Sequence, residues 1–232
     1  MLIALEWSWQ TNNKKGFDMR NVFITGGTGY MGRQLIPILL NRGHAIRALA
    51  RPGSESKLPP GCTPELGDAL NAESYAHLVQ PSDTFVQLVG TPKPSPRKAQ
   101  QFREIDLKSG LAAVAAARQA GIRHLIYVSV AHPAPLMHDY IEARVQVEEA
   151  ITSSGLNATI LRPWYVLGPG HRWPYLILPV YWIMELLPAQ RNTARRLALV
   201  TLKQMIAALV HAIENPVQGV RIVEVPDIRR HY

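Results

Sequence analysis

Asn21-Val-Phe-Ile-Thr-Gly-Gly-Thr-Gly-Tyr-Met-Gly-Arg-Gln-Leu35 is the stretch from which the rest of the chain can be read. Residues 22–25 form a β-branched and aromatic run that suits a buried parallel strand, and residues 34–40 carry apolar side chains at helical spacing. Between them lie Gly26, Gly27, Gly29 and Gly32. A first glycine permits positive φ, a second lets backbone approach an anion closely, and a third lets helix pack on strand. The helix N-terminus adds free N–H groups and a positive dipole. A G-x-G-x-x-G spacing alone is a common turn, but this one has a strand before it and a helix after it. The candidate binding set in the turn is therefore Gly26, Thr28, Gly29, Tyr30, Met31 and Gly32.

Such a turn needs a sheet around it, and the chain has room for one. With 232 residues, 47% hydrophobic and 18% charged, it can fold as a single globular domain with a substantial core. The single cysteine, Cys62, excludes an intrachain disulfide, makes a structural zinc site improbable and fits a reducing, cytoplasmic compartment. Residues 1–18 read as an extension outside the fold, either disordered or an upstream start, because they lack the basic region and cleavage site of a signal peptide. The domain is expected over residues 19–232. The formal charge of +8 is scattered, with pairs such as Arg195-Arg196 and Arg229-Arg230 but no basic stripe with interleaved aromatics, which suits a solvated surface and an anionic cofactor better than nucleic acid.

Downstream, Asn41-Arg42-Gly43 closes the first helix, and residues 44–50 read as a second strand. In dinucleotide folds a carboxylate near the end of this strand binds the ribose 2′-hydroxyl, whereas arginine accommodates a 2′-phosphate. Here the position holds Arg51, with Lys57 as a second cation, and no carboxylate lies between Asp18 and Glu55. NADP(H) is therefore expected over NAD(H). Residues 63–66 make a third strand leading to Asp68 and Ala69, where the carboxylate can reach an adenine or cap the next helix. Residues 84–89 make a fourth, ending at Gly90 and Thr91, whose small size lets a cofactor cross the strand ends. A helix over 102–120, strands over 124–129 and 158–162, and a helix over 137–152 continue the alternation. A capping box at Thr201-Leu-Lys-Gln204 starts a helix reaching about residue 214, and residues 220–225 make the last strand. The pattern predicts an α/β fold with a doubly wound parallel sheet and right-handed crossovers.

The residues able to do chemistry follow the fifth strand. Ser129 ends it, and Tyr140 and Arg144 lie four apart, on one helical face. A guanidinium beside a phenol would lower its pKa from about 10, making Tyr140 a general acid for carbonyl reduction with Ser129 as a second hydrogen-bond donor. His132 and His138 are competing proton donors. This constellation resembles the short-chain dehydrogenase/reductase superfamily, whose signature is Ser followed by Tyr-x-x-x-Lys, and within it the atypical branch of NmrA-like and epimerase-like NAD(P)H-binding proteins. The resemblance runs from Arg20 to about Val225 and includes Leu161-Arg162-Pro163. It implies a Rossmann fold, cofactor contacts by Tyr140, Arg144 and Pro163, and a substrate side over residues 163–200. The departure is Arg144 in place of lysine: arginine can hold a hydroxyl but cannot release a proton at neutral pH.

Residues 163–188 are crowded with aromatics and prolines, among them Trp164, Tyr165, Trp173, Tyr175, Tyr181 and Trp182, which suits an apolar substrate wall. The apolar run at 175–187 is too short to span a bilayer. The expected activity is NADP(H)-dependent oxidoreduction of a small carbonyl or alcohol substrate. The expected partners are that substrate and no nucleic acid, with a homodimer left open. A redox sensor or scaffold that binds NADP(H) without turnover is the alternative that Arg144 favours. A sugar-nucleotide epimerase or dehydratase is a third, disfavoured by the roughly 70 residues left after the sixth strand.

Overall fold

The computed structural model describes residues 18–134, 136–168 and 196–230. Its centre is a seven-stranded, all-parallel sheet in the order β3-β2-β1-β4-β5-β6-β9. The strands are β1 (Asn21–Thr25), β2 (Ala45–Ala50), β3 (Thr63–Leu66), β4 (Thr84–Gln87), β5 (His124–Val128), β6 (Ala158–Arg162) and β9 (Val220–Glu224). The first six follow the classic dinucleotide order, with the reversal between β1 and β4. That reversal opens a crevice at the carboxyl ends of the strands, where the glycine turn leaves β1. A separate parallel pair, β7 (Tyr165–Leu167) and β8 (Leu199–Thr201), follows β6.

Strand alternation explains the two cores. In β1, Val22 and Ile24 face one side while Phe23 faces the other, all fully buried. The first side packs against α1 (Gly32–Asn41), α5 (Leu202–Glu214) and α6 (Val225–Arg230), through Leu35, Leu39, Met205, Leu209 and Ile228. The second packs against α2 (Ala76–Val79), α3 (Lys108–Gln119) and α4 (His138–Ser153), through Val79, Ala113, Ala117, Val147 and Ile151. Phe23 stacks on Tyr75 at 6.1 Å between ring centroids and meets Phe85 edge-on at 5.2 Å. α5 begins with the expected capping box: Thr201 Oγ1 accepts from Gln204 N at 3.2 Å and Gln204 Oε1 from Thr201 N at 2.9 Å.

The helix expected over 102–120 differs in an informative way. A turn at Ala99–Gln101 widens into a π-helical stretch, Phe102–Leu107, before α3 begins at Lys108. The extra residue in that turn leaves Phe102 and Asp106 both buried. The β7–β8 pair and α6 were also unforeseen, because three-residue strands and a six-residue helix with Pro226 inside it have too little periodicity to read. Expectations for residues 1–17 and 169–195, including Trp173, Tyr175, Tyr181 and Trp182, lie outside the described residues. Among the described residues no helix is long and apolar enough to cross a membrane.

Candidate active site at the strand ends

The turn after β1 is held by its own backbone. Gly26 has φ +75°, and its carbonyl accepts from Gly29 N at 2.9 Å. A Cβ on Gly26 would stand 2.8 Å from the carbonyl carbon of Leu88, just past β4; one on Gly32 would stand 2.5 Å from Gly26 O and 2.6 Å from Gly27 Cα. These two glycines permit close approach of turn, strand and helix. Gly29 differs: a Cβ there would meet only Gly26 O, at 3.1 Å, and would otherwise enter open space. No side chain caps α1, and its first turn carries no carboxylate to repel an anion.

Gly26, Thr28, Gly29, Arg51, Lys57, Asp68, Ala69 and Gly90 line one cleft of about 380 Å³ across the carboxyl ends of β1, β2 and β4. Ser54 and Ile105 are among its other members, which the sequence did not single out. Ser54 organises the basic rim: its N–H bonds Arg51 O at 2.9 Å and its carbonyl accepts from Lys57 N at 3.1 Å. Arg51 and Lys57 are thereby set on one exposed turn. Asp68 Oδ1 accepts from Leu70 N at 3.0 Å, so the carboxylate closes a local turn at the mouth. Tyr30, Met31 and Gly32 sit beside the cleft rather than in its lining. Tyr30 lies with its hydroxyl against Gly168, Met31 packs on the core, and Gly32 is buried under the turn.

At the far end, Gly90 adjoins an ion pair. Arg144, only 6% exposed, donates through Nη2 to the fully buried Asp106 and through Nη1 to Val128 O at 2.8 Å. A Cβ on Gly90 would overlap that guanidinium. Thr91 does not face the cleft; it is buried, with its N–H 3.0 Å from Asp106 Oδ2 and its hydroxyl on the same carboxylate. Asp106 went unnoticed in the sequence, yet Phe102, Asp106 and Gly110 are spaced four apart on an apolar helical face. A carboxylate on such a face signals a buried cation.

The Arg144 guanidinium carbon lies 5.1 Å from the centroid of the half-buried Tyr140 ring, which packs on Phe102 at 4.9 Å. Tyr140 also borders an apolar cavity of about 360 Å³ with Pro96, Phe102, Leu136 and His138. The expected lowering of its phenol is not found. Burial pushes the Tyr140 pKa above the usual value of 10, Arg144 offsets this only in part, and Asp106 adds to the rise.

Ser129 lies apart from this pair. Its hydroxyl donates to Glu148 Oε1, one turn along α4 from Arg144. Glu148 also receives Arg162, which bonds Glu224 at 3.0 Å, and His132 Nε2 stands 3.5 Å away. A hydroxyl has one proton, so Ser129 is committed as a donor and does not serve as the expected second donor beside Tyr140. Pro163 is buried at the end of β6, its carbonyl accepting from Ala131 N at 2.9 Å. Among the described residues no cluster of three or more metal-binding side chains occurs.

A protein family described as NAD(P)H-binding matches residues 26–172. A ceramide reductase of Caulobacter vibrioides is 28% identical over 211 residues, covering 90% of this chain and 65% of the relative. A 3-beta-hydroxysteroid dehydrogenase of Mycolicibacterium neoaurum is 30% identical over 118 residues, 48% of this chain and 32% of the relative. This chain therefore spans only 65% and 32% of the length of these two relatives. The crystal structure of the Bordetella bronchiseptica enzyme WbmH in complex with NAD+ superposes with a TM-score of 0.66 at 19% identity, covering 89% of this chain and 75% of that one.

Proposed function

Since the chain belongs to the NAD(P)H-binding family and has the Rossmann fold of the atypical short-chain dehydrogenases/reductases, we propose that it is an NADP(H)-dependent oxidoreductase. It interconverts a carbonyl and an alcohol on a small, largely apolar substrate. The observation that carries this reading is that one cleft joins the glycine turn to two exposed cations, Arg51 and Lys57, at the end of β2. A pyrophosphate suits the turn, where Gly29 leaves room and the α1 N-terminus offers N–H groups. A 2′-phosphate suits the Arg51-Ser54-Lys57 rim, since guanidinium and ammonium both donate charge-assisted hydrogen bonds. Asp68, Ala69 and Gly90 line the same cleft, which supports assigning the first two to the adenine side and Gly90 to the approach to the nicotinamide.

A bound nicotinamide supplies or accepts the hydride. Tyr140 handles the proton: its raised pKa keeps the phenol protonated through neutral pH, so it acts as donor to a carbonyl oxygen. Arg144 orients the Tyr140 ring and, fixed by Asp106, holds the floor behind Gly90. The apolar cavity beside Tyr140 suits a hydrocarbon body, and the two named relatives are described as acting on a ceramide and a 3-beta-hydroxysteroid. A cytoplasmic location accords with the single cysteine.

The test is turnover of a panel of aliphatic and alicyclic ketones with NADPH by wild type and Tyr140→Phe. The variant is expected to bind NADPH within about twofold and to lose roughly 10²- to 10⁴-fold in turnover. Unchanged turnover would remove Tyr140 from the chemistry. One observation favours a second reading, a cofactor-binding sensor or scaffold: Arg144 is spent on Asp106 rather than turned toward the cleft. That reading predicts tight NADPH binding and no turnover by wild type across the panel.

A further inference from the structure

The end of the sheet opposite the active site holds a second polar cavity. It measures about 330 Å³ and lies at the amino ends of β1, β4 and β5, lined by Arg20, Asp83, Arg123, His124, Asn157 and Gln218 among others. No step proposed above uses it. We propose that this cavity binds a small oxyanion, a phosphate or a phosphoryl group on a small molecule, held by Arg20, Arg123 and His124 with Arg221 behind them.

The charge balance is the first reason. Arg20 and Arg123 line the cavity with one carboxylate, Asp83, and that carboxylate is already satisfied by neutral donors. Asp83 Oδ2 accepts from Asn21 N at 3.1 Å and Oδ1 from Thr84 Oγ1 at 2.7 Å. Among the described residues no ion pair neutralises Arg20, Arg123 or Arg221. The second reason is an excess of donors. Arg20 Nε, His124 Nδ1 and Arg221 Nε are buried with no hydrogen-bond partner among the described residues. Arg221 Nη2 donates to Thr159 Oγ1 at 3.2 Å, and Thr159 Oγ1 stands 3.0 Å from His124 Nε2. Thr159 Oγ1 accepts from Arg221 and has one proton to give to His124 Nε2; in that arrangement Nδ1 carries the imidazole hydrogen. His124 is 1% exposed and lines the cavity, and its Nδ1 has no hydrogen-bond partner among the described residues. Native interiors rarely leave such groups unpaired, and a cluster of unpaired donors beside cations is the inverse image of an anion.

The imidazole reports on the same field. Burial, then Arg221, then Arg20 hold the His124 pKa down to about 4. Groups facing it are Arg20 before β1, Asp83 before β4, Arg123 just before β5, Thr159 on β6 and Arg221 on β9. An anion seated among them counters both guanidiniums, so binding and the imidazole pKa must move together.

The experiment uses the full chain saturated with NADPH, so that phosphate does not act through the cofactor cleft. Inorganic phosphate, and separately chloride at equal ionic strength, is titrated while amide and imidazole resonances are followed by NMR. Saturable shifts are expected at Arg123, His124, Asn157 and Gln218, with none at Gly26 to Gly29, and the His124 pKa is expected to rise by a unit or more. Arg123→Gln, an exposed position, and Arg20→Gln should each weaken binding by at least about tenfold while NADPH affinity is unchanged. Methyl phosphate in place of inorganic phosphate distinguishes a phosphoryl ester from the free ion: equal or tighter binding assigns the site to the ester. Shifts confined to the glycine turn, shifts matched by chloride, or affinity indifferent to Arg123→Gln and Arg20→Gln would each overturn the proposal.

Discussion

The near rim of the cleft at Gly26 to Gly32 is made of backbone, whereas its far floor at Gly90 is closed by two side chains, Arg144 and Asp106, that come from α4 and from the π-helical stretch before α3. The rim works by what is missing, since each glycine matters through a Cβ it lacks. The floor works by what is present, since an arginine brought inside is bearable only beside its carboxylate. The two ends should therefore fail differently under mutation. A change at the rim costs space, and a change at the floor costs charge balance.

The largest effect is expected at the floor. Arg144→Met strands the Asp106 carboxylate in a site with no exposure, and should destabilise the fold by about 3–5 kcal/mol in urea unfolding. Arg144→Met combined with Asp106→Leu should recover much of that loss, because removing both charges leaves neither uncompensated. Additive losses in this cycle would mean that the ion pair is not what holds the floor.

Next come the rim glycines, which the comparison separates from one another. Gly32→Val forces side-chain atoms onto the Gly26 carbonyl and Gly27, and should cost about 1–3 kcal/mol of stability. Gly29→Val places its side chain in the open cleft; stability should change by less than about 1 kcal/mol while NADPH affinity falls by about tenfold or more. Thermal melts with and without NADPH distinguish the two. If both variants lose only stability, the turn is architecture and not a cofactor seat.

The pH profile is the gentlest probe, because it predicts a plateau. In the proposed reaction Tyr140 acts as an acid when protonated, and burial raises its pKa, so protonated phenol persists beyond pH 10. Carbonyl reduction should thus hold level from neutral pH to about 10 and fall only above it. A decline beginning well below pH 10 would instead contradict Tyr140 as the donor. Raising a phenol pKa also favours the folded state below 10, so this contribution to stability is lost as the pH climbs through the folded value.

How far these regions could be read from sequence follows the same division. The strand, turn and helix around Gly26 to Gly32 were legible because local chemistry dictates them: glycine where φ is positive, apolar residues at the right period on each side. The capping box at Thr201 to Gln204 was legible for the same reason. Arg51 and Lys57 were found through the cofactor they suit, and Ser54, which ties them together, was not. At the floor, Arg144 was visible but its partner was not. Asp106 lies 38 residues away, and only the π-helical widening and the packing of that segment on α4 bring the two together. Ser129 was read as free to act because nothing near it in sequence names Glu148 as its acceptor. Pairings between distant side chains carry no local period, so the sequence exposes the partners singly and the fold alone joins them.

The account rests most directly on a cofactor titration. Calorimetry of NADPH and of NADH should be run on the wild type and on Arg51→Ala. Arg51 sits on the exposed rim, so its loss should leave stability nearly unchanged. The prediction is that wild type binds NADPH more tightly than NADH by about tenfold or more, and that Arg51→Ala erases this preference by weakening NADPH alone, about 10- to 100-fold. Equal affinities of the wild type for the two cofactors, or a preference for NADPH that survives Arg51→Ala, would contradict it.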